Sequence, residues 1–233
     1  MSRPGPAPDS RPVDEGRPSH ESGPPSDRTA FARPEPTRSE PTRTEPSPPV
    51  LPRFPGPQDV VRLVGEGLVL REWSAGDAPA LPALFDDPDV ARFTPLASPF
   101  DEAAGRAYLA RAAESRAARR RVQLAVTTDG GAPLGEALLF TASDDPFAVE
   151  AGYVIGPRHR GQGLAVRALR LATEYAFGGL GACRVLLRIV VGNEASDAVA
   201  RSAGFSLTGE APISTGTALL RTWHREARRA VGT

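Results

Sequence analysis

One stretch, Val149–Ala176, limits what this chain can build more than any other. It opens on a short apolar run, Val149, Ala151, Tyr153, Val154 and Ile155, that reads as a strand. A turn over Gly156–Gly163 follows, and then Leu164, Ala168, Leu171, Ala172, Tyr175 and Ala176 recur at helical spacing. Arg167, Arg170 and Glu174 fall on the outer face of that helix, with Arg170 and Glu174 spaced for an i,i+4 pair, and Gly178-Gly179 and Gly181 end it. The turn carries Arg158-His159-Arg160-Gly161-Gln162-Gly163. A strand that delivers a glycine-rich, arginine-bearing turn onto a helix N-terminus suits a pyrophosphate: unpaired N–H groups and the helix dipole both favour an anion, and glycine lets the backbone approach it. A P-loop is excluded, because it needs a lysine and the chain contains none. A dinucleotide fingerprint fails as well, since Val166 stands where a third Gly or Ala belongs and no acidic residue follows at the required distance, where Cys183-Arg184-Val185 stands.

The remaining segments place that unit in a mixed domain. Residues 1–57 are dominated by Pro, Ser, Thr, Arg and Glu and include the repeated unit Glu35-Pro36-Thr37-Arg38, Glu40-Pro41-Thr42-Arg43, Glu45-Pro46-Ser47. So few core-forming residues cannot offset the entropy of ordering, so a disordered, proline-rich tail is expected there, with the folded domain over residues 58–233. In that domain Leu68–Trp73 reads as the first strand, Asp77 starts a helix through Phe85, and Pro88 opens a short one ending near Phe93. Asp101 caps a longer helix that stops at Arg119-Arg120-Arg121. Val122–Thr127, Pro133–Phe140 and Val149–Ile155 read as strands two to four, joined by connections short enough for antiparallel neighbours. Val185–Val191 is the fifth, a β-branched run. Asn193 caps a helix through Ala200, and strands near Phe205–Gly209 and Ala218–Trp223 finish the chain. The fold class expected is α+β, one mostly antiparallel sheet flanked by helices.

Composition narrows the function. The chain has 28 Lys+Arg against 28 Asp+Glu, so it lacks the basic excess of a nucleic-acid-binding face. Without lysine there is no Schiff-base chemistry. A single cysteine, Cys183, forms no intramolecular disulfide and fits a reducing compartment, and three histidines without Cys/His clustering argue against a metal site. No apolar run approaches the roughly eighteen residues of a membrane span, and no signal-peptide core opens the chain, so a cytoplasmic protein with no membrane partner, monomeric or homodimeric, is expected.

A second block, Asn193-Glu194-Ala195-Ser196 with Gly204-Phe205 downstream, follows the fifth strand. The turn spacing R-x-x-G-x-G at Arg158, Gly161 and Gly163 resembles motif A of the GNAT N-acetyltransferase superfamily. The N-x-x-S block ending in Gly-Phe resembles its ribosomal-protein alanine acetyltransferase (RimJ/RimL-like) branch. With Leu68-Val69-Leu70-Arg71 and Asp86-Asp87-Pro88-Asp89-Val90, the likeness runs from about Val61 to Trp223.

That resemblance implies a V-shaped splay between the fourth and fifth strands, through which the pantetheine arm of acetyl-CoA, the cosubstrate, would pass. Amides around Arg160, Gly161, Gln162, Gly163 and Leu164 would hold the pyrophosphate, with Arg158 beside it and Asn193 bracing the pantetheine. An amide near Tyr153 or Val154 would polarise the thioester carbonyl. Other branches place a tyrosine where Ala200 stands here, which leaves Ser196 to protonate the departing thiolate. Glu150 takes the position of a general base, provided burial lifts it from the ordinary carboxylate range. The acceptor implied is a primary amine on a peptide, an amino acid or a small molecule, selected by the two N-terminal helices with Phe93 and Phe100. The rival expectation is a non-catalytic acyl-CoA-binding module with a proline-rich interaction tail.

Overall fold

The computed structural model describes residues 50–228. Most of the expected proline-rich tail, residues 1–49, lies outside the described residues, as do residues 229–233. The strands are β1 (Arg62–Gly65), β2 (Leu68–Glu72), β3 (Arg121–Thr127), β4 (Gly135–Thr141), β5 (Ala148–Ile155), β6 (Arg184–Val190), β7 (Ser206–Leu207), β8 (Ile213–Ser214) and β9 (Leu219–Glu226). The helices are α1 (Leu81–Phe85), α2 (Pro88–Phe93), α3 (Glu102–Ala117), α4 (Leu164–Gly178) and α5 (Glu194–Ser202).

The strands form one sheet in the order β1-β2-β3-β4-β5-β6-β9-β7, with β8 on β9. Every pairing is antiparallel except β5 with β6. The mixed, mostly antiparallel sheet matches the expected class, and two strands add to it. The first is β1, which pairs with β2 across the tight turn Glu66-Gly67. Four residues with a half-exposed pattern carry too little apolar periodicity to stand out in sequence. The second is the two-residue β8. Because β1 precedes the expected first strand, the expected fourth and fifth strands are β5 and β6.

Alternation along the strands gives the sheet two apolar faces. Leu70, Val122, Leu124, Leu139, Val149, Ala151, Val185 and Leu187 face Leu164, Ala168, Ala172 and Ala176 of α4 and Ala200 of α5. On the other face a smaller cluster, Leu81, Leu84, Phe85, Val90, Phe100 and Tyr108, packs with Trp73 and Val154. Its aromatic rings meet edge to face, Phe85–Phe100 at 5.4 Å and Phe85–Tyr108 at 5.7 Å between centroids. Glu136 of β4 lies beneath this cluster, only 1% exposed. It accepts hydrogen bonds from Trp73 Nε1 at 2.8 Å, Tyr108 at 2.5 Å and Gln123 Nε2 at 3.3 Å, which ties α3 to the sheet. Burial pushes its proton affinity up, against those three donors.

The start of the N-terminal helical region differs from expectation. Asp77 lies inside a 3-10 turn, Ala75–Ala80, rather than at a helix start. Both its oxygens hold Arg71, at 2.8 Å each, and it also accepts from Ser74, so pairing with β2 fixes its place. Asp87 does cap α2, accepting from the amides of Asp89 and Val90, and Asp101 caps α3 through Ala104 N at 2.8 Å. On α4, Arg170 and Glu174 do not pair. Arg170 turns to Ser202 O and Glu66, and Glu174 takes Arg225 at 2.6 Å, because partners on neighbouring elements hold both.

The expected boundary at Gln58 falls too late. Phe54 is 4% exposed within the larger core, and Arg53 N donates to Leu180 O at 2.8 Å. Arg116 of α3 reaches the carbonyls of Pro55 and Gly56 as well as Glu72. One aromatic residue in a proline-rich setting is a weak signal, yet it brings this segment onto the domain. Phe54→Ala is expected to destabilise the domain by about 3 kcal/mol in urea denaturation, the usual cost of truncating a buried aromatic ring. An unchanged midpoint would mean that the segment contributes no core.

Candidate cofactor and catalytic site

The site grows from one departure in the sheet. β5 pairs in parallel with β6 only over Ala148–Glu150 against Arg184–Leu186. Beyond that point β5 stays on β4 and β6 stays on β9, so the two strands separate. From Ala151 onward β5 has no strand partner on its β6 side, and its backbone groups there need another partner. This is the expected V-shaped splay.

The turn after β5 closes one side of it. Gly161 and Gly163 have φ of 77° and 69°, and a Cβ built on either meets nothing within 4 Å. The left-handed backbone therefore answers no crowding within the chain. It turns exposed backbone toward open space, where a ligand can approach it without meeting side chains. No side chain caps α4, and the amides of Leu164, Ala165 and Val166 have no acceptor among the described residues. Such a terminus is a ready anion site. Leu164 is buried and anchors the helix start, while Gly161, Gln162 and Gly163 are exposed.

The two arginines of the turn differ. Arg158 is exposed and makes no hydrogen bond among the described residues. Arg160 reaches away to α2, with Nη2 2.7 Å from Asp87 Oδ1, Nη1 3.2 Å from Asp89 Oδ2 and Nε donating to Ile155 O at 3.3 Å. This contact holds the Asp87 carboxyl below the usual carboxylate range. The acidic run before α2 is thus occupied internally, since Asp86 accepts from Phe100 N at 2.9 Å as well. Phe100 itself is fully buried, so of the two aromatics expected to select an acceptor only the half-buried Phe93 remains accessible.

Across the splay, Asn193 caps α5 by accepting from Ser196 N at 3.1 Å. Ser196 is half-buried, with its backbone carbonyl 3.5 Å from the Tyr153 hydroxyl. That contact brings the end of β5 and the start of α5 together. Burial pushes the Tyr153 hydroxyl up to about 12. Tyr153 lies on the α4–α5 side of the sheet, while Val154 packs against the helical cluster on the other side. Glu150 shares the face of Val154 and is opposite Phe140 on β4. The structure therefore brings Ser196, Asn193 and Tyr153 together on one side of the splay and puts Glu150 on the other.

Glu150 is 17% exposed, with Arg188 Nε 3.9 Å from Oε2. Burial dominates its environment and pushes it up to about 7, with Asp144 adding to the rise and Arg188 and Arg121 opposing it. Two polar groups escaped the sequence reading, Glu136 and Arg188. Each left a signal, a single charge inside an apolar strand run (Gly135-Glu136-Ala137-Leu138 and Leu187-Arg188-Ile189), which demands a buried partner. Arg201, on the last turn of α5, stacks over Trp223 at 5.7 Å and lines a cavity of about 380 Å³ with Arg170 and Ser202, apart from the splay. Among the described residues no group of His, Cys, Asp and Glu could hold a metal, and no helix is long and apolar enough to cross a membrane.

Comparison with solved structures finds the same fold. Mycobacterium smegmatis RimJ in complex with CoA-disulfide has a TM-score of 0.61 and 17% identity, over 75% of this chain and 90% of its own. Ribosomal-protein-S5-alanine acetyltransferase from Vibrio fischeri has 0.59 and 20%, over 71% and 96%. Spermidine N-acetyltransferase from Vibrio cholerae, in complex with CoA and spermine, has 0.57 and 17%, over 70% and 96%. None of the curated proteins compared with the chain matches it. The family model for the acetyltransferase (GNAT) domain matches residues 67–206, from the β1–β2 turn to β7 and across the whole splay. With the parallel strands parting beside an uncapped helix, that match establishes that the chain belongs to the GNAT acetyltransferase family and is an N-acetyltransferase.

Proposed function

We propose that the protein transfers the acetyl group of acetyl-CoA directly onto a primary amine, in the manner of the RimJ/RimL-like branch. The observation that carries this is the outward-facing Gly161–Gly163 turn at the uncapped N-terminus of α4, set beside unpaired β5 backbone. Amides from Gly161 to Leu164 hold the pyrophosphate, with Arg158 free to approach it. The open edge of β5 pairs with the pantetheine amides much as an added strand would, and Asn193 braces the far wall. When bound, acetyl-CoA supplies an activated carbonyl and a thiolate leaving group.

The chain's own groups then divide the proton work. Glu150 takes a proton from the amine on the helical-cluster face. The N–C bond forms as the C–S bond breaks, a Tyr153 or Val154 amide polarises the carbonyl oxygen, and Ser196 Oγ passes its proton to the departing sulfur from the other face while taking one from solvent, so that the hydroxyl is regenerated. Glu150 near 7 is suited to this, because a base works best with an affinity close to the working pH. A module that only binds acyl-CoA has no use for such a carboxylate. Spermine in the Vibrio cholerae neighbour and the S5 alanine of the Vibrio fischeri one are both amine acceptors, which supports the amine class without choosing within it.

Gly161→Asp places a side chain and a negative charge where the pyrophosphate sits, so calorimetric affinity for CoA is expected to fall at least about tenfold. Unchanged affinity would reject the turn as the binding site. In a thiol-release assay over a panel of amines, Ser196→Ala is expected to lower kcat with CoA affinity preserved. Glu150→Gln is expected to lower the rate by about 10²–10⁴-fold at neutral pH. The unprotonated carboxylate is the active form, so wild-type kcat/KM should fall as pH drops through about 7, and that limb should vanish in Glu150→Gln. Two fully active variants would reject these roles.

A further inference from the structure

Arg188 stands where the splay begins. Glu150 is the last β5 residue paired with β6, opposite Leu186, and Arg188 lies two positions further along the diverging β6, on the same face. Its side chain is only 8% exposed and is held on two sides. Nη2 donates to Asp144 in the β4–β5 connection and Nη1 to Thr222 Oγ1 of β9, directly across the pairing. The remaining edge of the guanidinium, Nε, faces Glu150 Oε2 at 3.9 Å. A planar fork fixed at both outer nitrogens cannot swing, so it presents a charge of set position to the carboxylate.

We propose that Arg188 is a positioning residue for acetyl transfer, its anchored guanidinium spanning the fork to hold a positive charge of set position beside the Glu150 carboxylate. This rests on the reading of Glu150 as the base and adds what sets its proton affinity. Burial raises the proton affinity of Glu150, and Arg188 is the leading influence that opposes the rise. The other charged groups around Glu150 are Arg121 of β3, which stacks over Phe140 at 4.8 Å, and Asp144, whose like charge is already engaged by Arg188. Further along the same face, Arg184 is taken by Asp145 and Glu226, and His224 meets Glu226 at 3.3 Å. Arg121 also opposes the rise of Glu150, but among the described residues Arg188 is the one guanidinium that forms an ion pair with it.

The test uses the full chain and two readouts: the pH profile of kcat/KM, and the titration of the Glu150 carboxyl followed by carbon-13 NMR, assigned by its loss in Glu150→Gln. In Arg188→Gln, which keeps a donor for Asp144 but no charge, the Glu150 titration and the acidic limb are expected to move up together by about one pH unit or more. Activity lost at neutral pH should return in alkaline buffer, and Arg188→Lys should restore part of the shift. Thr222→Val, which removes one anchor and keeps the charge, should move both readouts upward by less, and it serves if Arg188→Gln does not fold. A purely structural Arg188 would lower activity equally at all pH values and leave the Glu150 titration in place, and that result overturns the proposal. If Glu150→Gln retains the acidic limb, the assignment of the base fails, while the NMR titration still decides whether Arg188 acts on Glu150.

Discussion

Three residue pairs hold β5 to β6, and the rest of the molecule depends on where that pairing stops. Each strand has a better partner on its other side, β4 for β5 over seven register pairs and β9 for β6 over seven. Each therefore follows the twist of its own half of the sheet, and a gap opens between the halves. An open strand edge inside a domain carries unpaired amides and carbonyls, which need a partner. Here the gap is flanked by two helix N-termini, the uncapped α4 and the Asn193-capped α5, so its donors suit an acyl carrier with an anionic end and an amide-bearing arm.

The two faces of the sheet divide the remaining work by how they treat buried carboxylates. Glu136 and Glu150 both sit on the face of the helical cluster, and burial raises both. Glu136 has three donors from Trp73, Tyr108 and Gln123, so its oxygens are committed to holding α3 on the sheet. Glu150 has no hydrogen-bond donor among the described residues and one guanidinium at 3.9 Å, which leaves its oxygens free to take a proton. The difference between the structural carboxylate and the one proposed as the base thus lies in what surrounds each one. Arg160 links this face to the turn proposed to hold the cofactor, because its pairing with Asp87 and Asp89 fastens α2 to the residues that precede α4.

Much of this was legible in the sequence where local chemistry decides. The Val149–Ala176 strand–turn–helix unit and the caps at Asp101 and Asn193 follow from spacing and residue type, while the splay between the fourth and fifth strands was implied by the family resemblance. Features settled by distant partners were not legible. Asp77 reads as a cap until Arg71 is seen to hold it, Arg170 and Glu174 read as a helical pair until Ser202 and Arg225 separate them, and Phe54 reads as tail until it meets the core. Arg188 and Glu136 showed themselves only as charges in apolar runs, and sequence spacing could not name their partners.

The most direct measurement is a nitrogen-15 amide-shift titration of the domain with CoA. The expected result is that the largest changes fall on Gly161 to Val166, at the uncapped start of α4, and on Gly152 to Val154, along the β5 edge that has no strand partner on its β6 side, with smaller changes at Asn193 and Ser196. Changes centred instead on the cavity beside Arg170, Arg201 and Ser202, with the turn and the β5 edge silent, would contradict the assignment of the splay as the acyl-carrier site.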